Sequence, residues 1–481
     1  MRAPDRSTLP DATPLAVALT GALCLAALMG VGRFAYTPVL PLMLADGSVG
    51  LAEASALASL NYLGYLAGAL ACAMGLTRWL QRLVDRLRER GGAERMPMGT
   101  RSTRSSIMKV PAELAVLGAA LLATAVLTAA MAMPWVAGWT LWRLLAGAVS
   151  AVGFVLSTQW CLTRLAQQGR TAMGGLMYMG PGFGIAVGGL LGGAMAAMAA
   201  PGWAAWLVFA ALALAMAALA WRTLGGAAER QQPTASTAAT VPPQHGATAA
   251  ASGPDSAEPK APTSAPSTAS AAREPEPAAD GLALWGLTAA YGLAGFGYII
   301  PATFLPVMAR AWLVGGSGAG GTGIGVEVGG ALLADLFWPL FGLGIVVGAA
   351  LASRVRESLD VRVALIACYL LQASGVALAA WQPDATGLAL GSLLLGLPFT
   401  AITFFAMREV RRLRPHSATR WIGLTTASYG IGQIVGPPVA AWLVARMGQE
   451  AAGFTSAMHL ASATLLAGAA IFMGLVVSRP R

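Results

Sequence analysis

Long apolar runs with no charged residue recur along this 481-residue chain, and they restrict its fold more than any other feature. An α-helix rises 1.5 Å per residue, so a run of about 20 residues spans the hydrocarbon core of a bilayer. Only 11% of the residues are charged, whereas a typical soluble domain has about 25%. A soluble chain of this composition would lack a polar surface. The sequence therefore predicts an all-α, multi-pass membrane protein.

The apolar runs predict twelve transmembrane helices. We expect the first to remain as an anchor, because no small-residue cleavage site follows a short apolar core. The predicted spans lie near residues 14–43, 51–76, 111–133, 135–162, 172–199, 203–222, 282–308, 327–352, 362–381, 386–407, 420–446 and 453–477.

The positions of the basic residues predict the orientation. Of the 31 Lys and Arg residues, 27 fall in the N-terminus, the even-numbered connections or the C-terminus. Arg310 and Arg446 lie at the opposite side, and Arg33 and Arg143 lie inside spans. The positive-inside rule then places both termini in the cytoplasm. The expected location of the protein is the inner (plasma) membrane of a bacterial cell. This topology accounts for the net charge of +10, so the charge does not indicate nucleic-acid binding.

Two hydrophilic segments interrupt the pattern and set the expected domain boundaries. Residues 225–280 are rich in Ala, Pro, Ser and Thr and predict a disordered linker. The stretch TRWLQRLVDRLRER after the second span fits either an amphipathic helix on the inner leaflet or a solvated loop. The predicted organisation is an N-terminus, a six-helix bundle, a linker, a second six-helix bundle and a tail, at residues 1–13, 14–222, 223–281, 282–477 and 478–481.

The two predicted bundles have similar sequences at corresponding spans. LMGVGRFAYTPVLPLM at 28–43 aligns with LAGFGYIIPATFLPVM at 293–308, and GFGIAVGG at 182–189 aligns with GIGQIVGP at 430–437. The offsets change only where loop lengths differ. The pattern predicts a parallel repeat of six helices, related by an axis along the membrane normal.

These motifs resemble the major facilitator superfamily (MFS). GVGRFAYTPVLPLM is similar to the first-span signature of its YbfB/YjiJ-type branch, and RLLAGAVSA, which begins at Arg143, resembles the span-four motif linked to proton coupling. GIAVGG at 184–189 partly resembles the antiporter motif of span five but lacks its proline, while the usual Gly-Asp-Arg-Gly motif after span two is missing. The resemblance implies the MFS fold, with spans one, four, seven and ten around a central cavity.

Three charged residues fall at a similar depth inside the predicted spans. Arg33, Arg143 and Asp335 lie eight to ten residues from the nearest outer helix end, which corresponds to about 12–15 Å. Our hypothesis is that Asp335 pairs across the halves with one arginine when the outer side is closed and leaves the other to attract an anion. Two structural alternatives stay open: Arg33 extends to the outer headgroups, or Asp335 forms a purely structural contact.

Other residues are candidates for the cavity or for helix packing. The amphipathic rings of Tyr36, Tyr291 and Tyr298 suit substrate contact on the cavity helices, and Gln159, Thr400, Thr403 and Gln433 are candidates for polar contacts, with interhelical hydrogen bonds as the alternative. Small residues spaced four apart allow close helix approach, and prolines interrupt helical hydrogen bonds. The candidates for packing and gating are Pro38, Pro41, Pro301, Pro306, Gly184, Gly188, Gly432 and Gly436.

The sequence offers no support for an enzyme. It shows no phosphate-binding loop, metal-ligand cluster or catalytic triad at membrane depth, so no metal and no cofactor are expected. The predicted function is secondary active transport of a small organic anion or amphipathic metabolite, coupled to protons, with export favoured, by a monomer in the lipid bilayer. The alternatives are multidrug efflux of lipophilic cations and, in a different class, a membrane sensor or scaffold that does not transport.

Overall fold

The structure is a computed structural model that describes residues 13–93, 110–170, 173–229, 278–313, 324–355, 359–414 and 418–478. All regular secondary structure in these ranges is helical. Most of the predicted linker 223–281 lies outside the described residues, as does the second part of the basic connection, 94–109.

The N-terminal half contains nine α-helices and one π-helical segment in its described residues. The order is α1 (Pro14–Leu25), the π-helical segment (Ala26–Val31), α2 (Tyr36–Ala45), α3 (Leu51–Ala73), α4 (Leu76–Ala93), α5 (Ala112–Ala130), α6 (Val136–Gln167), α7 (Gly174–Met177), α8 (Gly180–Ala197) and α9 (Gly202–Glu229).

The described part of the C-terminal half contains seven α-helices. They are α10 (Ala278–Leu313), α11 (Ile324–Ala352), α12 (Val361–Trp381), α13 (Ala385–Gly396), α14 (Phe399–Leu413), α15 (Ala418–Met447) and α16 (Glu450–Val477). The helices α9 and α10 extend into the predicted linker from its two ends, to residue 229 and from residue 278.

Eleven helical stretches in the described ranges are long and apolar enough to cross a membrane. The predicted span 420–446 coincides with α15, which is 30 residues long but is not among the eleven. Its polar residues, Arg420 and Gln433 among them, lower the hydropathy of this helix. Its membrane crossing therefore stays a prediction, as does the twelve-span repeat.

Two faces of the helical bundle can be told apart by their contacts. On the first, which we call the turn face, the carboxylate of Asp46 accepts a hydrogen bond from the backbone N–H of Gly202 at 2.8 Å, which joins the ends of α2 and α9. In the C-terminal half, the indole N–H of Trp312 at the end of α10 donates to the carbonyl of Ala451 in α16 at 3.2 Å. The second, which we call the α4 face, carries α4. Which of the two faces lies in the cytoplasm stays a prediction.

The stretch TRWLQRLVDRLRER forms a helix, as one of the two sequence interpretations predicted. Apolar residues recur at helical spacing along α4, and Leu80 and Val84 pack against the core. Trp79 and Leu87 are exposed on the same helix. This pattern is that of an amphipathic helix, and its placement on a lipid surface stays a prediction.

The first span is not one continuous helix. The backbone N–H groups of Gly32 and Phe34 bond to carbonyls five residues earlier, at Ala27 and Met29, and a turn separates this π-helical segment from α2. The hydroxyl of Ser150 on α6 donates to the carbonyl of Leu28 at 2.7 Å. Thus a side chain from a neighbouring helix binds a carbonyl beside the irregularity, as backbone at membrane depth requires.

The structure places the four candidate prolines in α2 and α10. The break in the first span precedes Pro38, which lies in the first turn of α2, where a missing N–H costs little. Pro41 lies inside α2. α10 continues through Pro301 and Pro306 without a break, and a role of these prolines in gating stays a prediction.

Glycines allow the closest helix contacts in both halves. A Cβ added to Gly64 of α3 would lie 1.9 Å from the carbonyl oxygen of Leu144 on α6, and one added to Gly348 of α11 would lie 1.8 Å from that of Leu397, which follows α13. Gly184 meets the π-helical segment at Gly30. Helix approach at these distances is possible only without a side chain.

We expect a Gly64→Ala substitution to destabilise the protein by about 1–3 kcal/mol, because α3 and α6 would have to move apart. Thermal unfolding of the purified protein, followed by intrinsic fluorescence, measures the effect. Gly474→Ala in α16 is the matched control, since no atom lies within 4 Å of its added Cβ. Equal melting temperatures for the two variants would contradict the close contact.

Candidate functional site

The two halves meet along several pairs of helices and across a layer of hydrogen bonds. The most extensive contacts are those of α8 with α11 and of α3 with α15, followed by that of α2 with α10. On the turn-face side of the centre, the hydroxyl of Thr37 donates to the carbonyl of Ala302 at 2.8 Å, and the hydroxyls of Tyr62 and Thr303 lie 3.1 Å apart. The hydroxyl of Ser59 donates to the carbonyl of Ile434 at 2.8 Å. We call these contacts the cross-half layer.

Arg33 belongs to this layer and not to the membrane surface. The turn between the π-helical segment and α2 carries it, and it is only 4% exposed, so the interpretation that it extends to the headgroups is wrong. Its Nη2 donates to Oε1 of Gln433 on α15 at 2.6 Å. The aromatic rings of Phe34, Tyr62 and Tyr65 lie 5.4, 5.1 and 4.3 Å from its guanidinium carbon.

Gln433 connects Arg33 to a stack of tyrosines. Its amide N–H group donates to the hydroxyl of Tyr298 on α10. The ring of Tyr298 stacks on that of Tyr429 at 5.5 Å, and Tyr429 stacks on Tyr291 at 4.4 Å. The hydroxyl of Tyr291 donates to Thr403 on α14 at 2.9 Å. Both predicted tyrosines of the seventh span therefore line one aromatic cluster beside Arg33.

Arg143 is the second buried arginine and belongs to the N-terminal half. It is 3% exposed, and its guanidinium carbon lies 4.5 Å from the ring of Tyr36. Its Nε donates to the carbonyl of Leu57 at 3.3 Å. The hydroxyl of Tyr36 donates to the carbonyl of Ala54 at 2.9 Å, so this tyrosine is held in place beneath the guanidinium.

Asp335 does not pair across the halves as our hypothesis required. Its two carboxylate oxygens accept hydrogen bonds from Nη2 of Arg310, at 2.8 and 2.7 Å, and both residues belong to the C-terminal half. The reason lies in helix length: the seventh span was predicted to end at residue 308, but α10 continues to Leu313 and brings Arg310 beside α11. A Cβ on Gly193 of α8 would lie 2.9 Å from that of Asp335, so the pair lies against the other half.

The charges of the described site are unbalanced at its centre. Of the ion pairs formed in the described ranges, none includes Arg33 or Arg143, whereas Asp335 is neutralised by Arg310. An unpaired buried charge is costly, and the neighbouring rings compensate it by about 0.5–2 kcal/mol each. The site can therefore attract an anion.

The comparisons with known proteins give the family. The family model described as uncharacterised MFS-type transporter YbfB matches residues 25–93, 99–252 and 257–477 of this sequence. The chain belongs to this MFS transporter family. No curated protein matches it.

Among solved structures, the crystal structure of the nucleoside transporter NupG matches this MFS chain with a TM-score of 0.56 at 13% identity, over 95% of this chain and 98% of NupG. The structure of a NupG point mutant matches with a TM-score of 0.60 at 13% identity, over 95% and 99% of the two chains. This similarity shows the fold alone.

The other predicted residues of this MFS protein have mostly structural contacts. Gly432 and Gly436 lie against α10, at Gly292 and Ile299, and Gly188 faces Phe209. Gln159 and Thr403 are exposed, and the hydroxyl of Thr400 is buried without a hydrogen-bond partner in the described ranges. In those ranges no group of His, Cys, Asp or Glu residues could hold a metal ion.

The sequence analysis missed several residues of the site. Arg310 was placed at the outer side, and Tyr62 and Tyr65 were not among the favoured tyrosines. The spacing of Asn61, Tyr62 and Tyr65 on α3 was an available signal, because residues three and four apart share one helical face. Gln433 was a candidate for a polar contact, with an interhelical hydrogen bond as the alternative, but its hydrogen bond with Arg33 was not predicted.

Proposed function

We propose that this MFS protein transports a small organic anion or an amphipathic metabolite with an anionic group. The observation that carries the proposal is the pair of buried arginines, Arg33 and Arg143, neither of which forms an ion pair in the described part of the chain. Charged residues at membrane depth are expensive and usually mark a substrate or ion pathway. Aromatic rings beside both guanidinium groups complete an amphipathic site.

The same arrangement argues against lipophilic cations as substrates. A free carboxylate would favour a cation, but Asp335 already binds Arg310 through both oxygens, and the two unpaired arginines would repel a cation. NupG is a nucleoside transporter by its description, and nucleosides carry no anionic group, so they enter the test as a third substrate class.

We further propose that the Asp335–Arg310 pair couples transport to protons. A proton on Asp335 would release Arg310 and weaken the contact of α11 with α8 at Gly193. The predicted topology puts the α4 face on the cytoplasmic side of the inner membrane, because 27 of the 31 basic residues fall on that side. The glycine-rich α8 supports export as the direction.

Proteoliposomes with a trapped pH-sensitive dye test this function. The panel contains benzoate and succinate as organic anions, tetraphenylphosphonium as a lipophilic cation, and uridine as a nucleoside. We expect substrate-dependent proton flux with an organic anion alone. Flux with tetraphenylphosphonium would establish the competing efflux function. No flux with any member of the panel would favour a sensor or scaffold.

A further inference from the structure

One edge of the Arg33 guanidinium is only half occupied. Nε and Nη2 share this edge and can bind the two oxygens of a carboxylate through parallel hydrogen bonds. Nη2 donates to the amide oxygen of Gln433 at 2.6 Å. Nε is buried and has no hydrogen-bond partner among the described residues. A single amide oxygen therefore lies where a carboxylate would bind both nitrogens.

The Nε–Nη2 edge of Arg33 is a place where an oxyanion can bind. The rings of Phe34, Tyr62 and Tyr65 lie against the guanidinium group. The edge offers two donors, which match the two oxygens of a carboxylate. A phosphate or phosphonate has a third oxygen, which the two donors of this edge do not bind.

The hydrogen bond of Gln433 also links the two halves. Arg33 precedes α2 in the N-terminal half, and Gln433 lies on α15 in the C-terminal half. Gln433 is itself held from its own half, because its amide donates to Tyr298. A ligand that takes the place of Gln433 therefore breaks a contact of the cross-half layer and leaves the tyrosine cluster intact.

We propose that Gln433 is an internal substitute for the substrate, and that the substrate is an organic carboxylate that displaces it from the Nε–Nη2 edge of Arg33. This inference rests on the proposed anion transport and specifies its substrate class and its trigger. Substrate binding then releases one link between the halves, which connects occupancy of the site to opening of the cross-half layer. The organic part of the carboxylate packs against the tyrosines beside Arg33.

The test uses the full-length protein in nanodiscs, with benzoate as the probe. Affinity is measured from the rise in melting temperature with benzoate concentration, which follows from ligand binding to the folded state. Benzamide has the same ring without the charge, and phenylphosphonate carries the third oxygen. Three variants are compared with the wild type: Gln433→Ala, Gln433→Glu and Arg33→Lys.

The three variants have expected effects of different sign. Gln433→Ala removes the competitor and should bind benzoate about 10- to 100-fold more tightly, the value of one hydrogen bond to a charged group. Gln433→Glu supplies a permanent carboxylate and should abolish the benzoate effect. Arg33→Lys keeps the charge but loses the planar edge, so affinity should fall by about tenfold or more.

Gln372→Ala is the matched control. Gln372 is a buried glutamine of the C-terminal half whose amide donates to the carbonyl of Leu395 at 3.2 Å within that half. Its replacement should leave benzoate affinity unchanged, and benzamide should stabilise no variant. These results together support displacement by a carboxylate.

Other results overturn the inference in distinguishable ways. If Gln433→Ala weakens benzoate binding, Gln433 contacts the ligand and is not displaced, while anion transport still stands. If phenylphosphonate binds more tightly than benzoate, the carboxylate assignment is wrong. If benzoate stabilises neither the wild type nor Gln433→Ala, the inference fails, and proton flux with an organic anion in the proteoliposome panel then decides separately on the proposed function.

Discussion

Replacement of Arg33 by glutamine is expected to reduce organic-anion transport by about a hundredfold. The neutral amide keeps much of the side chain's length but loses the charge and the bidentate edge, which are together worth about 2–3 kcal/mol. The measurement is the initial rate of anion-dependent proton flux in proteoliposomes that contain equal amounts of wild-type and variant protein. We expect the rate to fall to that of protein-free liposomes.

The matched control for this substitution is Arg446→Gln. Arg446 also lies near an aromatic ring, that of Trp442 at 5.4 Å, but it is exposed at the end of α15. A similar loss in both variants would mean that the rate depends on the total positive charge of the protein and not on the buried position of Arg33. Undiminished flux in Arg33→Gln would remove Arg33 from the substrate site.

Asp335→Asn is expected to separate proton coupling from substrate exchange. Asparagine cannot take up a proton, so accumulation of the anion against its gradient should fall by about tenfold or more. Exchange of the anion between equal concentrations on the two sides needs no net proton movement and should continue. Radiolabelled substrate, measured with and without an imposed pH gradient, distinguishes the two activities.

The substitution also leaves Arg310 without its carboxylate, so stability must be controlled. The double variant Asp335→Asn/Arg310→Gln removes the unpaired charge and should recover any lost melting temperature without restoring accumulation. Glu450→Gln neutralises an exposed acidic residue at the start of α16 and should change neither activity. Full accumulation by the double variant would show that this ion pair is structural.

The helices of this protein could be predicted from the sequence because burial in lipid depends on composition and length. The common depth of Arg33, Arg143 and Asp335, counted from predicted helix ends, stays a prediction. The partner of Asp335 could not be predicted, because five more residues of helix at the end of α10 decide that Arg310 comes beside it. An apolar run does not show where its helix stops.

The irregular first span shows a second limit. The sequence analysis expected Pro38 and Pro41 to interrupt helical hydrogen bonds in this span, but the π-helical segment, Ala26–Val31, lies before both prolines. The glycines at 30 and 32 allow close contacts with Gly184 and with Thr124. Such contacts depend on which helices become neighbours, which no local pattern within one span contains. The same holds for Gln433, whose partner lies 400 residues away.

Accessibility of the cross-half layer tests the central claim most directly. A Thr303→Cys substitution, made after the four native cysteines are replaced by alanine, places a thiol in this layer, where Thr303 is fully buried. Its reaction rate with a membrane-impermeant maleimide is measured from the turn face. The account predicts slow labelling without ligand and labelling about tenfold faster with a transported organic anion. Equal rates under both conditions would contradict a site in which the anion opens the contact between the halves.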